Sequence, residues 1–330
     1  MLMKKNMKSA FIAALLIIFL YPSAFSQVLK IYQIDAEQGD AALVITPSGK
    51  TLLIDCGKKG QGERISALLK KEGKNNIDVF ICTHYHEDHY GGIDDLVNRQ
   101  GISVLKAYDR GDKQYLRAAK LKEKTYIAYQ AAVGSKAVHL KRERVISLDP
   151  EMTITCIASG GVVAGESSPI PGNDENDLSI AILLTYGKFS YFTGGDIESP
   201  TEKKIAMGNL VKNVEVCKAD HHGAETSSDS MFMVMLSPSV IIISNGNDGE
   251  YQHPRKVILS RYNSLEPKPD VYQTNKYLRS GPDGGNVPDG FIADPETVDK
   301  DGTFLVTASK TSNQFSLNYG GVTKNYPVKE

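Results

Sequence analysis

The segment Thr83-His84-Tyr85-His86-Glu87-Asp88-His89-Tyr90-Gly91-Gly92 packs three of the chain's seven histidines and two carboxylates between His84 and His89, directly behind the apolar run 77–82. Imidazole nitrogen and carboxylate oxygen are the donors a borderline cation such as zinc takes at neutral pH. A loop leaving the end of a rigid strand can aim alternate side chains at one point. The HxHxDH spacing therefore offers two ligand pairs, His84 with His86 and Asp88 with His89. Gly91-Gly92 is expected to let the backbone turn sharply, and Ile93 to Val97 reads as the first turns of a helix closing over the site.

Four later or earlier stretches could complete such a centre. Phe189 to Thr193 reads as a strand that empties into Gly194-Gly195-Asp196, and Val214 to Ala219 as another that empties into Asp220-His221-His222-Gly223. His253 precedes Pro254 at the start of a helix running from Arg255 to Tyr262, where unpaired N–H groups and the helix dipole favour an anion. Asp55, at the end of a hairpin strand, is expected to accept an imidazole N–H from the histidine loop and so to orient it.

These pieces need a scaffold, and the chain supplies alternating strands and helices without a linker. At 330 residues, 41% hydrophobic and 23% charged, it suits one large α/β domain better than two small ones. Val28 to Ile34 alternates as a half-buried strand, and Leu43 to Thr46 with Thr51 to Gly57 forms a hairpin about Pro47-Ser48-Gly49-Lys50. Glu63 to Lys71 has helical spacing and stops at Gly73. Between residues 100 and 150 lie a strand over 102–107, helical stretches from 113 to 133, and strands near Val138 and Val145. Substrate contacts could sit in this insert. After the strand 152–158, the Gly-, Ser- and Pro-rich run from Ser159 to Gly172 reads as a mobile loop. Strands over 180–186, 240–245 and 271–275, and a hairpin of 303–309 with 314–319, complete the pattern.

Residues 1–26 differ in kind. Lys4, Lys5 and Lys8 precede the apolar run 10–20, and Pro22 and Ala24-Phe25-Ser26 follow, which reads as a secretory signal peptide. The run is shorter than the roughly 20 residues a spanning helix needs, so no stable membrane span is expected after cleavage, and an exported, periplasmic or secreted protein of residues 27–330 is. Cleavage removes three lysines and no acid, moving the formal charge from −1 to −4. That mild acidity argues against tight non-specific nucleic-acid binding. Cys56, Cys82, Cys156 and Cys217 lack CxxC spacing and are expected to be buried thiols rather than disulfides.

The HxHxDH motif resembles that of the metallo-β-lactamase superfamily. Asp35, Gln38, Gly39 and Asp40 after the first strand, and Asp55 and Gly57 after the hairpin, are similar to the hydrolase domain of ComEC-type competence proteins. So are the run from Lys218 through His221-His222-Gly223 to Ser228, and the His253-Pro254 step. The likeness spans about residues 28–320 and leaves 280–300 unmatched. It implies a four-layer αββα sandwich whose sheet edge holds two divalent ions, zinc or manganese. By resemblance Asp196 bridges the ions, and His222, or else His221, is a ligand. The usual third histidine of the first site is missing; by the same resemblance Asn176, or else water, completes it beside His84, His86 and Asp196, a harder donor set. The second site would comprise Asp88, His89, Asp196 and His222. Asp88 could also take a proton from the attacking water, while His221, His253 and Lys218 would serve the leaving side.

The reading that follows is an exported metal-dependent phosphodiesterase or nuclease. A hydrolase of a smaller ester, such as a phosphorylcholine-type diester or a lactone, is the alternative among enzymes, and a non-catalytic metal-binding module the alternative outside them. The sequence shows no channel segment after the hydrolase region, so the chain is not expected to transport DNA by itself.

Overall fold

The computed structural model describes residues 28–111, 120–133, 136–170, 174–247, 251–279, 281–295 and 301–330. The signal-peptide expectation for residues 1–26, and parts of the stretches from 113 to 133, 159 to 172 and 280 to 300, lie outside these.

Two large sheets carry the architecture. In the first, the antiparallel strands Val322–Pro327, Gln314–Tyr319, Phe304–Ser309, Val28–Gln33, Ala42–Ile45 and Thr51–Ile54 lead into the parallel strands Val79–Ile81, Ala107–Asp109 and Ala137–His139. The second repeats that plan. Val162–Val163, Met152–Ser159, Ala181–Tyr186 and Phe189–Thr193 are antiparallel, and Val216–Lys218, Val240–Ile243, Asp270–Asn275 and Ile292–Asp294 continue in parallel.

The two-residue period of a strand sorts side chains between layers. Val79 and Ile81 point into a core shared with Ile182, Tyr191, Val216 and Ile242 of the other sheet. Phe80, between them, points outward to Ile65 and Leu69 of the helix Gly62–Lys71 and to Tyr126 and Tyr129 of the helix Lys124–Val133. On the far side, Phe192, Ile241 and Ile243 meet Ile205, Phe232 and Ile258 of the helices Ser199–Met207, Ser230–Leu236 and Lys256–Asn263. Helix, sheet, sheet, helix is the four-layer αββα sandwich. Where each sheet is parallel, the strands point their C-terminal ends the same way, the edge at which open α/β sheets place ligands.

Two local expectations are corrected. Gly91-Gly92 does not make a sharp turn: Gly91 has helical angles, and at Gly92 a Cβ would lie 2.2 Å from the Cys56 carbonyl oxygen. Close backbone approach, not turning, requires the glycine. The expected helix does begin at Ile93, and it widens into a π-helical turn over Asp95–Arg99. The Ser159 to Gly172 run is not wholly loop, because Gly160 and Gly161, at φ +59° and +76°, turn Val162–Val163 back onto Ala158 and Ser159.

The four cysteines are buried and unpaired. Among the described residues no helix is long and apolar enough to cross a membrane.

Candidate metal centre

The first half of the centre is built on the ends of two neighbouring parallel strands. Asp55, which leaves Thr51–Ile54 with φ +55°, accepts hydrogen bonds from the Thr83 N–H at 2.8 Å and the Thr83 hydroxyl at 2.7 Å. It also accepts from His89 Nδ1–H at 2.8 Å. That bond turns His89 Nε2 toward Asp196 Oδ2, 3.1 Å away. The expected orienting role of Asp55 is thus present in the geometry. His84 is buried, with Nε2 3.0 Å from His86 Nδ1 and 3.9 Å from Asp196 Oδ2.

The second half comes from the facing sheet. Gly195, at φ +60° and with its Cβ position 2.8 Å from Thr83, lets the chain after Phe189–Thr193 pass against the histidine loop and deliver Asp196 to it. At the end of Val216–Lys218, His221 and His222 both adopt left-handed angles, so their rings diverge. His222 is buried, donates from Nδ1 to the Ser244 carbonyl at 3.0 Å, and brings Nε2 to 3.5 Å from Asp196 Oδ2 and 3.4 Å from Asp88 Oδ2. His221 stays at the rim, its Nδ1 3.2 Å from Glu198 Oε1.

These donors fit a cation. His89, Asp196, His222 and Asp40 offer ligand atoms within 4.8 Å of one another. Asp196 Oδ1, His222 Nε2 and Asn176 Oδ1 are buried with no hydrogen-bond partner, a costly state unless something positive or a donor sits among them. The electrostatics agree. Burial opposes charge on His89, yet Asp196, Asp55 and Asp88 hold its pKa well above the ordinary value. Burial likewise opposes charge on His222, and Asp196 and Asp40 push it up to about 10. Burial alone would raise Asp196; the two imidazoles hold it well below the usual carboxylate range. The pocket pulls positive charge in.

The centre floors a cleft of about 560 Å³ whose walls include His86, Asp88, Asn176, His221, Tyr251 and His253. Burial, with the charges of His222 and His221 behind it, lowers His253 to about 3, so it stands neutral at the rim. Lys218 requires a correction. Instead of facing the leaving side, it is buried behind Asp196 and does not line the cleft. Its ammonium pairs with Asp40, donates to the Gly195 carbonyl at 2.8 Å and lies 3.6 Å from Asp196 Oδ1. The strand that carries it runs beneath the floor, so its side chain reaches the ligand from below.

A family model described as the metallo-beta-lactamase superfamily matches residues 34–180, the stretch holding His84, His86, Asp88, His89 and Asn176. Residues 34–180 are thereby assigned to the metallo-β-lactamase superfamily. The chain resembles curated competence proteins over most of its length. It is 26% identical over 267 residues to ComE operon protein 3 of Bacillus subtilis, covering 74% of this chain and 31% of that one. To competence protein ComA of Neisseria gonorrhoeae it is 24% identical over 233 residues, 69% and 28% of the two chains. A shorter likeness, 36% over 70 residues, links it to ribonuclease Z of Clostridium tetani, covering 21% of this chain and 22% of that one. The chain thus spans under a third of the length of either competence protein.

Several members of the metallo-hydrolase site carried no local signal. Glu198 receives His221, the Thr226 hydroxyl at 2.8 Å and the Asn176 amide at 3.5 Å, joining three strand ends at the rim. Arg110 is buried, forks onto Glu175 with two bonds of 2.7 Å, and lies 4.5 Å from the Tyr85 ring centre. Glu175 also accepts from the Tyr85 N–H at 2.7 Å, so this ion pair ties the histidine loop to the turn bearing Asn176. A Glu three residues beyond a double glycine, or an Arg at a strand end, is a weak signal until its partner is known.

Proposed function

We propose that this chain is an exported, metal-dependent phosphodiesterase whose substrates are nucleic-acid strands, comparable with the hydrolase part of the competence proteins it resembles. The observation that carries the reading is the position of Asp196. Its carboxylate lies between His84, His89 and His222 on the floor of an open cleft. His84, His86, Asp196 and Asn176 would hold one divalent ion, zinc or manganese, and Asp88, His89, Asp196 and His222 a second. Bound there, such ions supply Lewis acidity toward a phosphoryl oxygen and a nucleophilic water near neutral pH.

The protein's own groups do the rest. Asp88, partly exposed at the cleft, orients the attacking water and takes its proton. His221, held by Glu198, is placed to give a proton to the leaving oxygen. His253, neutral on the opposite wall, contacts the substrate as a hydrogen-bond partner. Lys218 compensates the charge of Asp40 and Asp196 from below and touches no substrate. The competence and ribonuclease relatives support a nucleic-acid substrate over a small ester, and the run of residues 1–26 supports export, with Gln27 as the first residue of the mature chain.

The test is hydrolysis of bis-p-nitrophenyl phosphate and of single-stranded DNA by residues 27–330 after chelation and then zinc or manganese addition, beside His86→Ala and Asp196→Ala. Metal-restored cleavage of both substrates, lost in both variants, is expected. Cleavage of the small diester alone would replace the nuclease reading with a small-ester hydrolase. Cell fractionation should recover the protein outside the cytoplasm with Gln27 as its first residue by Edman sequencing, and recovery in the cytoplasm with Met1 intact would remove the export reading.

A further inference from the structure

Three rings form a ladder out of the metal centre. His222 and His253 lie nearly parallel, 16° apart with centroids 6.2 Å apart, and Tyr251 continues the stack at 6.0 Å and 27°. Exposure rises along it, from 2% at His222 through 6% at His253 to 58% at Tyr251. A single exposed aromatic side chain needs no explanation by itself. This one lines the cleft and continues the stacking direction set by a buried ligand candidate, so its open face is where the next flat ring would lie.

The platform is held in place. The Arg255 N–H donates to the Gly223 carbonyl at 3.0 Å, and at Gly223, with φ +76°, a Cβ would lie 2.9 Å from Pro254 Cβ. The Gln252 side-chain carbonyl accepts from the Asp283 N–H at 3.3 Å, and Arg255 pairs with Asp283 at 3.2 Å. These contacts pin the Tyr251 to Arg255 segment to the turn carrying His222, so the ring is presented before a substrate arrives. Arg255 and exposed Lys58 also line the cleft and give a phosphate backbone cations to follow.

We propose that Tyr251 is the stacking platform for the nucleobase next to the scissile phosphate, which makes the substrate a single strand with an unpaired base at that position. Aromatic rings bind bases this way without reading sequence, and a 560 Å³ cleft accommodates a nucleotide.

The inference rests on the nuclease reading, and its test separates the two. Zinc-loaded wild-type protein, Tyr251→Ala and Tyr251→Phe are compared on a short oligothymidylate and on the same strand with an abasic site at each position in turn. Binding of a 2-aminopurine oligonucleotide to the chelated proteins is followed in parallel by fluorescence quenching. Tyr251→Ala should raise KM roughly tenfold to a hundredfold on the intact strand, and Tyr251→Phe by less than about threefold. One abasic position should cost the wild type as much and cost Tyr251→Ala nothing more, and quenching should disappear in Tyr251→Ala alone.

An unchanged KM in Tyr251→Ala, or equal losses on intact and abasic strands, overturns the platform while leaving the nuclease reading standing. Quenching that needs Tyr251 without any strand cleavage keeps the platform and sinks the nuclease. Cleavage confined to a choline-bearing diester, lost in Tyr251→Ala, would replace the base with a quaternary ammonium.

Discussion

The floor and the rim of the cleft are built on different terms. On the floor, His89 is held at both ring nitrogens by Asp55 and Asp196, and Asp55 is itself fixed by two bonds from Thr83. Every one of these groups is buried. At the rim, His221 leans on the Glu198 carboxylate and the Thr226 hydroxyl, the Tyr251 ring stacks beyond His253, and both reach solvent. Bonds in a buried network strengthen one another and fail together, whereas exposed contacts are individually weak. The contrast separates chemistry, which needs fixed ligands, from selection among substrates, which a replaceable wall can supply.

Changes on the floor should therefore cost far more than changes at the rim. Asp196→Asn strips the charge that His84, His89 and His222 converge on. We expect kcat/KM on bis-p-nitrophenyl phosphate to fall by roughly a thousandfold or more, with metal content by mass spectrometry reduced. Next comes Lys218→Met, which leaves Asp40 and Asp196 buried without their cation. Urea unfolding in chelator should show a loss of about 3–5 kcal/mol, part of it returned by adding Asp40→Asn. A rim-like loss under about 1 kcal/mol would erase the distinction drawn here.

Asp55→Asn keeps the shape but weakens the hold on His89. Its metal affinity should drop by about tenfold to a hundredfold in competition with a chromophoric chelator. Proton exchange sharpens the same point. In the metal-free centre burial works against charge on His89 and His222, and the surrounding carboxylates overcome it, holding His89 well above its usual pKa and His222 near 10. An incoming cation must displace those protons. Affinity should therefore rise with pH, by about tenfold per unit for each proton released, as long as pH stays below those values. Affinity independent of pH would mean that neither imidazole is a ligand.

The smallest effect belongs to the rim. Glu198→Gln retains a hydrogen bond to His221 but not the charge, so kcat should fall by only about threefold to tenfold, with urea stability within about 0.5 kcal/mol of wild type. A thousandfold fall would place Glu198 with the floor.

Local chemistry made much of this legible. Four donors lie in one six-residue window, and Asp55 and the Gly194-Gly195-Asp196 step each stand at the end of a readable strand, so strand period and donor type, together with the resemblance, marked the candidate floor. The alternation of strands and helices, with the resemblance, was enough for the four-layer sandwich. Misreadings arose where a neighbour distant in the chain decides: Gly92 is a glycine because of Cys56, and Lys218 is drawn under the floor by Asp40. Arg110 with Glu175, and Glu198 with His221, are likewise pairs whose members look like ordinary surface charges until the sheets bring them together.

What the sequence determined by itself was therefore the candidate donors and, with the resemblance, the scaffold class, because ligand spacing and side-chain periodicity are encoded within a few residues. What only the tertiary structure decided was which charges compensate one another, which histidine of the pair turns inward, and where an aromatic face stays open. Those depend on crossovers that pack one sheet against the other, and no short window of the chain contains both partners.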